Sequence, residues 1–380
     1  MNRRHYSQNE VLMLGKRINN PKRSYLLVNP LQAKHIPVSP TAALEMMSNL
    51  GTLVRETCPG RSLVIGFAET ATAVATAVSM ELNRECLYIQ TTREKLEDVK
   101  QWVLFSEEHS HATEQKLCGD NLQKWIEVID HIVIVDDEFS TGKTLINVAR
   151  ALKKFSQEAH KKDFVAASIV NRVDDDHLRL LQEEGYRCVY LVKPADEDYE
   201  NKVSDYQVVE AEPIASTTNI GDLATSAQLK ASYQNPRKGV FSRLYREQCN
   251  ALAEEACQTV MSMCSIGSVL VLGTEECMYP ALMVGKYLEE LDDNRVIRCH
   301  ATTRSPIGVS DREGYPIQNG CRLRSFYETN RTTYLYNLRK YDMTVIVTDA
   351  RAARKEGLCD LQVALQSYGC ENIICLEIGE

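Results

Sequence analysis

The sequence predicts an α/β protein built on two parallel sheets, and three observations carry that reading. Strand-like and helix-like segments alternate from Ser62 onward, the alternation breaks between residues 193 and 238, and it then resumes in an order that echoes the first half. In the first half "SLVIGF" precedes the helical "TATAVATAVSMEL", then "CLYIQ", a long polar stretch, "HIVIVDD", "TLINVARALKKF", "FVAASIV", "DHLRLLQEEG" and "RCVYLV". Short apolar runs of this kind, separated by amphipathic helices, are the pattern of buried parallel strands, whose ligands sit in the loops after their carboxyl ends. In the second half "SVLVLG", "MYPALMVGKYLEEL", "VIRCHATTR", "MTVIVTD", "DLQVALQSYG" and "NIICLEI" follow the long helical segment that begins "VFSRLYREQ".

The two halves align with Gly66 on Gly273 and Glu69 on Glu276. A "TTR" triplet follows a strand in each (Thr91, Thr92, Arg93 and Thr302, Thr303, Arg304), and "IVIVDD" is echoed by "TVIVTD", where only Asp349 remains. The reading is a duplication whose second copy keeps the scaffold and loses the acidic loop. The expected domains are 1–195, a linker over 196–238, and 239–380.

With 380 residues and 44% apolar content, two or three cores are expected. A formal charge of −8 argues against a nucleic-acid footprint, no apolar run reaches the ~20 residues that span a bilayer, and the amino end lacks a signal-like segment, so a cytosolic protein is expected. The thirteen cysteines include no C-x-x-C pair, which points to buried thiols rather than a zinc ribbon or a disulfide framework.

The chemistry concentrates in "IVIVDDEFSTGKT", residues 132–144. Its tail is similar to a Walker A loop, but the position that needs the first glycine holds Asp137, flanked by Asp136 and Glu138. A carboxylate ~4 Å from a phosphate oxygen is repelled by about 4 kcal/mol at an effective dielectric of 20, so a triphosphate is not expected across this run. A single phosphate fits better, held at the helix amino terminus by the backbone around Gly142 and by Ser140, Thr141, Lys143 and Thr144. Asp136 and Asp137 then suit a ribose diol, which offers hydroxyl donors.

This stretch resembles the PRPP-binding signature of the type I phosphoribosyltransferases. Together with "VNPLQAKHIPVSP", "GFAETAT", "FSEEHSHAT" and "TTRSPIG", it resembles the orotate-like members that carry a C-terminal TRSP domain and are associated with tellurium-resistance and stress-response gene clusters. The resemblance implies a type I parallel sheet with helices on both faces, a flexible hood, and a second α/β domain that is a degenerate copy. It implies PRPP and magnesium as substrate and cofactor, a small-molecule acceptor, and possible homodimers. In it the turn Ala68, Glu69, Thr70 meets the diphosphate, Arg93 brings a guanidinium fork to the same group, and the hood lies between Glu94 and Trp125. His109 and His111 in that hood are candidate proton or hydrogen-bond donors, with a metal site or a solvated position as alternatives. Lys34 and His35 are further candidates to approach the site.

In the second half Arg304, Ser305 and Glu276 are candidates for an anionic or ribosyl group; the alternative is a domain that has lost binding and supports the first. The expected activity is phosphoribosyl transfer with release of pyrophosphate. Alternatives are a non-catalytic PRPP or nucleotide sensor, or a hydrolase or phosphorylase of nucleoside phosphates. No motif names the acceptor.

Overall fold

The β-branched and apolar runs form strands at Ser62–Gly66 (β1), Leu87–Gln90 (β2), His131–Phe139 (β3), Asp163–Asn171 (β4) and Tyr186–Val192 (β5). The computed structural model describes residues 4–20, 23–106, 115–214, 224–263, 267–291, 295–350 and 355–379. By contact the chain divides into two units: residues 1–8, 45–196 and 234–247 in the first, and 9–44, 197–233 and 248–380 in the second.

In the first unit the strands run in the order β2-β1-β3-β4-β5, all parallel, and Val240–Phe241 adds an antiparallel edge beside β2. Alternation along the strands gives the sheet two apolar faces. Leu63, Ile65, Ile132, Ile134, Phe164 and Ala166 share one core with Leu145, Val148, Ala149 and Leu152 of helix Lys143–Phe155. Those four helical positions, spaced by three and four residues, form its single apolar stripe. The intervening residues face the other way, where Tyr88 Oη donates to the carbonyl of Thr72 at the start of helix Thr72–Glu81. These helices are α2 and α1 respectively, in chain order; Asp175–Glu183 is α3, opened by Asp174, whose carboxylate accepts from the amide of His177.

The second unit contains Ser268–Gly273 (β6), Tyr279–Leu291 (α4), Val296–Ala301 (β7), Met343–Thr348 (β8), Lys355–Ser367 (α5) and Ile373–Ile378 (β9). Its sheet runs β7-β6-β8-β9 and closes with Thr225–Leu229, again all parallel. Matching β1, β2, β3 and β4 to β6, β7, β8 and β9 gives the same spatial order in both sheets, so the internal echo in the sequence is an echo in topology.

Several segments carry structure that the alternation did not mark, helix Pro40–Thr57 and the antiparallel pair Gly320–Arg324 with Thr332–Tyr336 among them. The stretch read as a linker includes helix Tyr199–Ser204 and strands Glu212–Pro213 and Thr225–Leu229, each within the second unit. Its buried Tyr199, Val203, Ala211 and Leu229 are spaced among acidic and small polar residues, which leaves no periodicity to read. Met13–Lys16 and Tyr25–Val28 form an antiparallel hairpin, also in the second unit. The polar stretch after β2 holds a second hairpin, Trp102–Phe105 with Gln115–Cys118.

Eleven of the twelve described cysteines are buried and all twelve are free; Cys188 is half-buried. Burial pushes the thiols of Cys58 and Cys321 up to about 11 and those of Cys86 and Cys375 up to about 12. No described helix is long and apolar enough to cross a membrane.

Candidate active site

The carboxyl ends of β1, β2 and β3 converge because these strands are neighbours in register, Gly66 pairing with both Gln90 and Val135. After β1 the chain turns through Phe67 to Ala71 into α1. Gly66 is where that turn needs a missing side chain: a Cβ there would lie 2.4 Å from the Cβ of Ala75 in the helix. The Ala68–Glu69 peptide is cis. The Ala68 amide donates to Thr91 Oγ1 at 2.9 Å, and its carbonyl accepts from Gln115 Nε2 at 2.8 Å. The turn is thereby tied to the strand end that carries the first "TTR" and to the hairpin beyond it. Glu69 is buried, Thr70 is half-buried, and Arg93 is half-buried one residue past the buried Thr92.

β3 is buried from His131 to Val135 and reaches solvent where the acids begin: Asp136, Asp137 and Glu138 are each half-buried. Asp136 Oδ1 accepts from the amide of Asp137 at 2.9 Å, and Asp137 Oδ1 accepts from Thr70 Oγ1 at 2.9 Å. The second of these joins the turn after β1 to the acidic pair. The Glu138 carboxylate is held by Arg172, just past β4, with Nη1 at 3.0 Å. Arg172 was missed by sequence reasoning, although it occupies the same kind of place after a strand that singled out Arg93.

The loop then turns at Gly142, whose φ of 75° is the left-handed conformation that favours glycine. A Cβ at this position would also lie 2.8 Å from Leu181. α2 starts at Lys143, so its first amides point back over Ser140 and Thr141, which are half-buried, while Lys143 is exposed. The Ser/Thr-rich bend at a helix amino terminus, the carboxylates before it and the turn across from them thus share one end of one sheet. His109 and His111 lie outside the described residues.

Residues 11–193 match a family model described as phosphoribosyl transferase, and residues 234–364 match the TRSP domain found C-terminal to that transferase. Residues 11–193 therefore belong to this phosphoribosyl transferase family, and the TRSP domain follows them. Among solved structures, the chain is similar to the APRTase from Giardia lamblia complexed with 9-deazaadenine, at 12% identity over 48% of this chain and 95% of that one, with a TM-score of 0.32. It is similar also to adenine phosphoribosyl transferase from Trypanosoma brucei in complex with AMP, pyrophosphate and ribose-5-phosphate, at 13% identity over 50% of this chain and 83% of that one, TM-score 0.34. UMP synthase from Leishmania donovani matches at 18% identity over 48% of this chain and 33% of that one, TM-score 0.30. No curated protein matches.

In the TRSP domain the turn after β6 repeats the hydrogen bonds of the transferase turn. Glu275 stands where Ala68 does, and its amide donates to Thr302 Oγ1 at 3.0 Å. Thr91 and Thr302 donate their amides to Gly66 and Gly273, while Thr92 and Thr303 donate theirs to Lys116 and Tyr334 on the neighbouring hairpins. The side chains differ. Arg304 Nε donates to Glu275 Oε2 at 2.8 Å and its Nη2 to Glu276 Oε1 at 3.2 Å, and Arg331 Nη1 donates to Glu275 Oε2 at 3.0 Å. Ser325 Oγ donates to the other oxygen of Glu275, and Tyr327 Oη donates to Asp349. The predicted Arg304 and Glu276 therefore meet, and the amide of Ser305 donates to Thr303 Oγ1 at 3.2 Å.

Glu275, with a side chain only 1% exposed, is the centre of this network, and sequence reasoning passed over it. The available signal was the doubled acid in "GTEE", where the transferase turn has "GFAE". Lys34 is fully buried in this second unit, donating to the carbonyls of Glu275 and Thr302 at 3.2 Å each.

Proposed function

We propose that the chain transfers the phosphoribosyl group of PRPP to a nitrogen of a base or base-like acceptor. The C1–O bond to the diphosphate breaks, the electron pair leaves with pyrophosphate, and an N–C1 bond forms on the opposite face. The observation that carries this reading is the acidic strand end joined to a Ser/Thr loop at a helix amino terminus, with Thr70 of the facing turn bonded to Asp137.

In this reading the bend from Ser140 to Thr144 holds the 5-phosphate through amides and hydroxyls. Asp136 and Asp137 accept from the ribose diol and lie on the side of a sugar ring that becomes positive as the leaving group departs. Ala68 to Thr70 and Arg93 receive the diphosphate, and one of His109 and His111 is the proposed hydrogen-bond donor to it as it leaves. Phosphate binding at the helix terminus and carboxylates at the diol keep the sugar from turning, so C1 faces one acceptor position.

Magnesium takes one or two carboxylates, several waters and phosphate oxygens. Among the described residues no three His, Cys, Asp or Glu side chains form a metal cluster, while Glu69 lies buried in the turn after β1 that this reading gives to the diphosphate. In this reading the ion would be carried largely by the diphosphate, and Glu69 would hold it through water. Such an ion would neutralise charge on the departing group.

Calorimetric titration with PRPP and magnesium tests the reading. Wild type should bind, and a D136N/D137N double variant should bind about tenfold or more weakly, since hydrogen bonds to charged groups are worth roughly 1.5–3 kcal/mol each. Undiminished affinity in the double variant would remove the basis of the assignment. Release of pyrophosphate on adding candidate bases then identifies the acceptor.

A further inference from the structure

A cavity of about 280 Å³ lies in the first unit at the opposite end of the sheet from the acidic loop, where α1 ends and the chain turns into β2. It is lined by Ser79, Met80, Arg84, Ser242, Arg243 and Arg246, with Glu247 at its side. Three guanidinium groups against one carboxylate give it a positive excess in a chain whose formal charge is −8.

Each cation is placed differently. Arg246 is anchored, donating to the carbonyl of Met80 at the end of α1. Arg243 makes an i,i+4 pair with Glu247 at 3.1 Å, but both side chains are about three-fifths exposed, so the pair holds the guanidinium weakly. Arg84 is exposed and has no hydrogen bond or ion pair among the described residues.

Ser242 is the second, independent feature. It opens the twenty-residue helix Ser242–Met261, whose amino terminus favours negative charge. Its amide donates to the carbonyl of Cys86, while its hydroxyl, on a residue only 3% exposed and lining the cavity, has no nitrogen or oxygen partner among the described residues and only the Cys86 thiol beside it. A buried hydroxyl of this kind costs free energy unless something supplies an acceptor. The Cys86 thiol beside it is at most a weak one.

We propose that this cavity is a second anion site, taking the phosphate group of a small phosphorylated metabolite. Arg84 and Arg243 close on the phosphate oxygens, Arg246 fixes the wall, and the Ser242 hydroxyl donates to the same group. α1, ten residues long, spans about 15 Å between the turn at Ala68–Thr70 and this cavity, so both sites can be filled together.

Hydrogen-exchange mass spectrometry of the full chain with inorganic phosphate, diphosphate and AMP tests the assignment, because peptides covering 79–84 and 242–247 report this cavity while those covering 138–145 report the acidic loop. Protection of the first pair is expected at millimolar phosphate. An R84E/R243E variant alters two exposed side chains and should melt with wild type, while the phosphate concentration giving half-protection rises about tenfold or more. A stronger response to AMP than to phosphate would identify a nucleoside phosphate as the ligand class, and equal responses would identify the phosphate alone. Absence of protection at 79–84 and 242–247 with all three ligands, or equal protection in the variant, would overturn the proposal.

Discussion

Thr302 accepts a hydrogen bond from the amide of Glu275 as Thr91 accepts one from the amide of Ala68, at 3.0 and 2.9 Å. The bond fixes the turn after β1 to the end of β2, and the turn after β6 to the end of β7. It survives in the TRSP domain, where the acids and hydroxyls around it have changed, so it belongs to the framework of the turn rather than to one ligand.

Thr91→Val keeps the shape of the side chain and removes the acceptor for the buried Ala68 amide. A loss of about 1–3 kcal/mol in urea unfolding is expected, with weaker PRPP binding, and Thr91→Ser should restore most of both. A valine variant with wild-type stability would show that the amide finds another partner.

Gly66→Ala and Gly273→Ala test the two turns sterically. The first places a methyl 2.4 Å from Ala75 Cβ, and the second places one 2.5 Å from the carbonyl oxygen of Cys277. Each should destabilise by about 1–3 kcal/mol. Only the first should also change PRPP affinity, which separate melting and titration experiments would show.

Glu275→Gln leaves Arg304 and Arg331 facing a neutral amide in a site where their own side chains are 12% and 14% exposed. A loss of about 3 kcal/mol is expected, against less than about 1 kcal/mol for Glu328→Gln, whose carboxylate is 53% exposed. Similar losses for the two variants would mean that burial does not govern this network.

His300 carries a pH dependence. Burial pushes its imidazole down from 6.5 to about 4, and Nε2 donates to the carbonyl of Tyr336 at 2.7 Å. The unfolded chain takes up a proton as pH falls through 6.5, while the folded chain resists until about 4. The stability contribution of the neutral, buried ring is therefore present above pH 6.5 and lost between 6.5 and 4, by roughly 3 kcal/mol. Unfolding free energies followed across that window should fall more steeply for wild type than for His300→Gln.

Much of this architecture was legible because strands such as "SLVIG" and "IVIV" are buried on both faces and leave continuous apolar runs. The repeated strand order was legible from the paired strands as well, and Gly66 and Gly273 at their matching ends are both held by close contacts. Segments that touch a core through scattered side chains were not. Tyr199–Ser204 and Thr225–Leu229 bury few residues and look like a polar connection, and the hairpin at Met13–Val28 is too short for its period to stand out. In the candidate site, positions after strand ends were readable as a class, which singled out Arg93 and Arg304 for the place they occupy past β2 and β7. Which neighbour each side chain chooses was not readable, and that is why Glu138 with Arg172, and Glu275 with Arg331, emerged only in three dimensions.

The sealed thiols give the molecule an internal clock. Cys58, Cys86 and Cys118 lie in one unit and Cys321, Cys359 and Cys375 in the other, all buried. An alkylating reagent can reach them only when their surroundings open. Timing which sulfurs acquire the label would show whether the two halves breathe together or one loosens while its sibling stays shut.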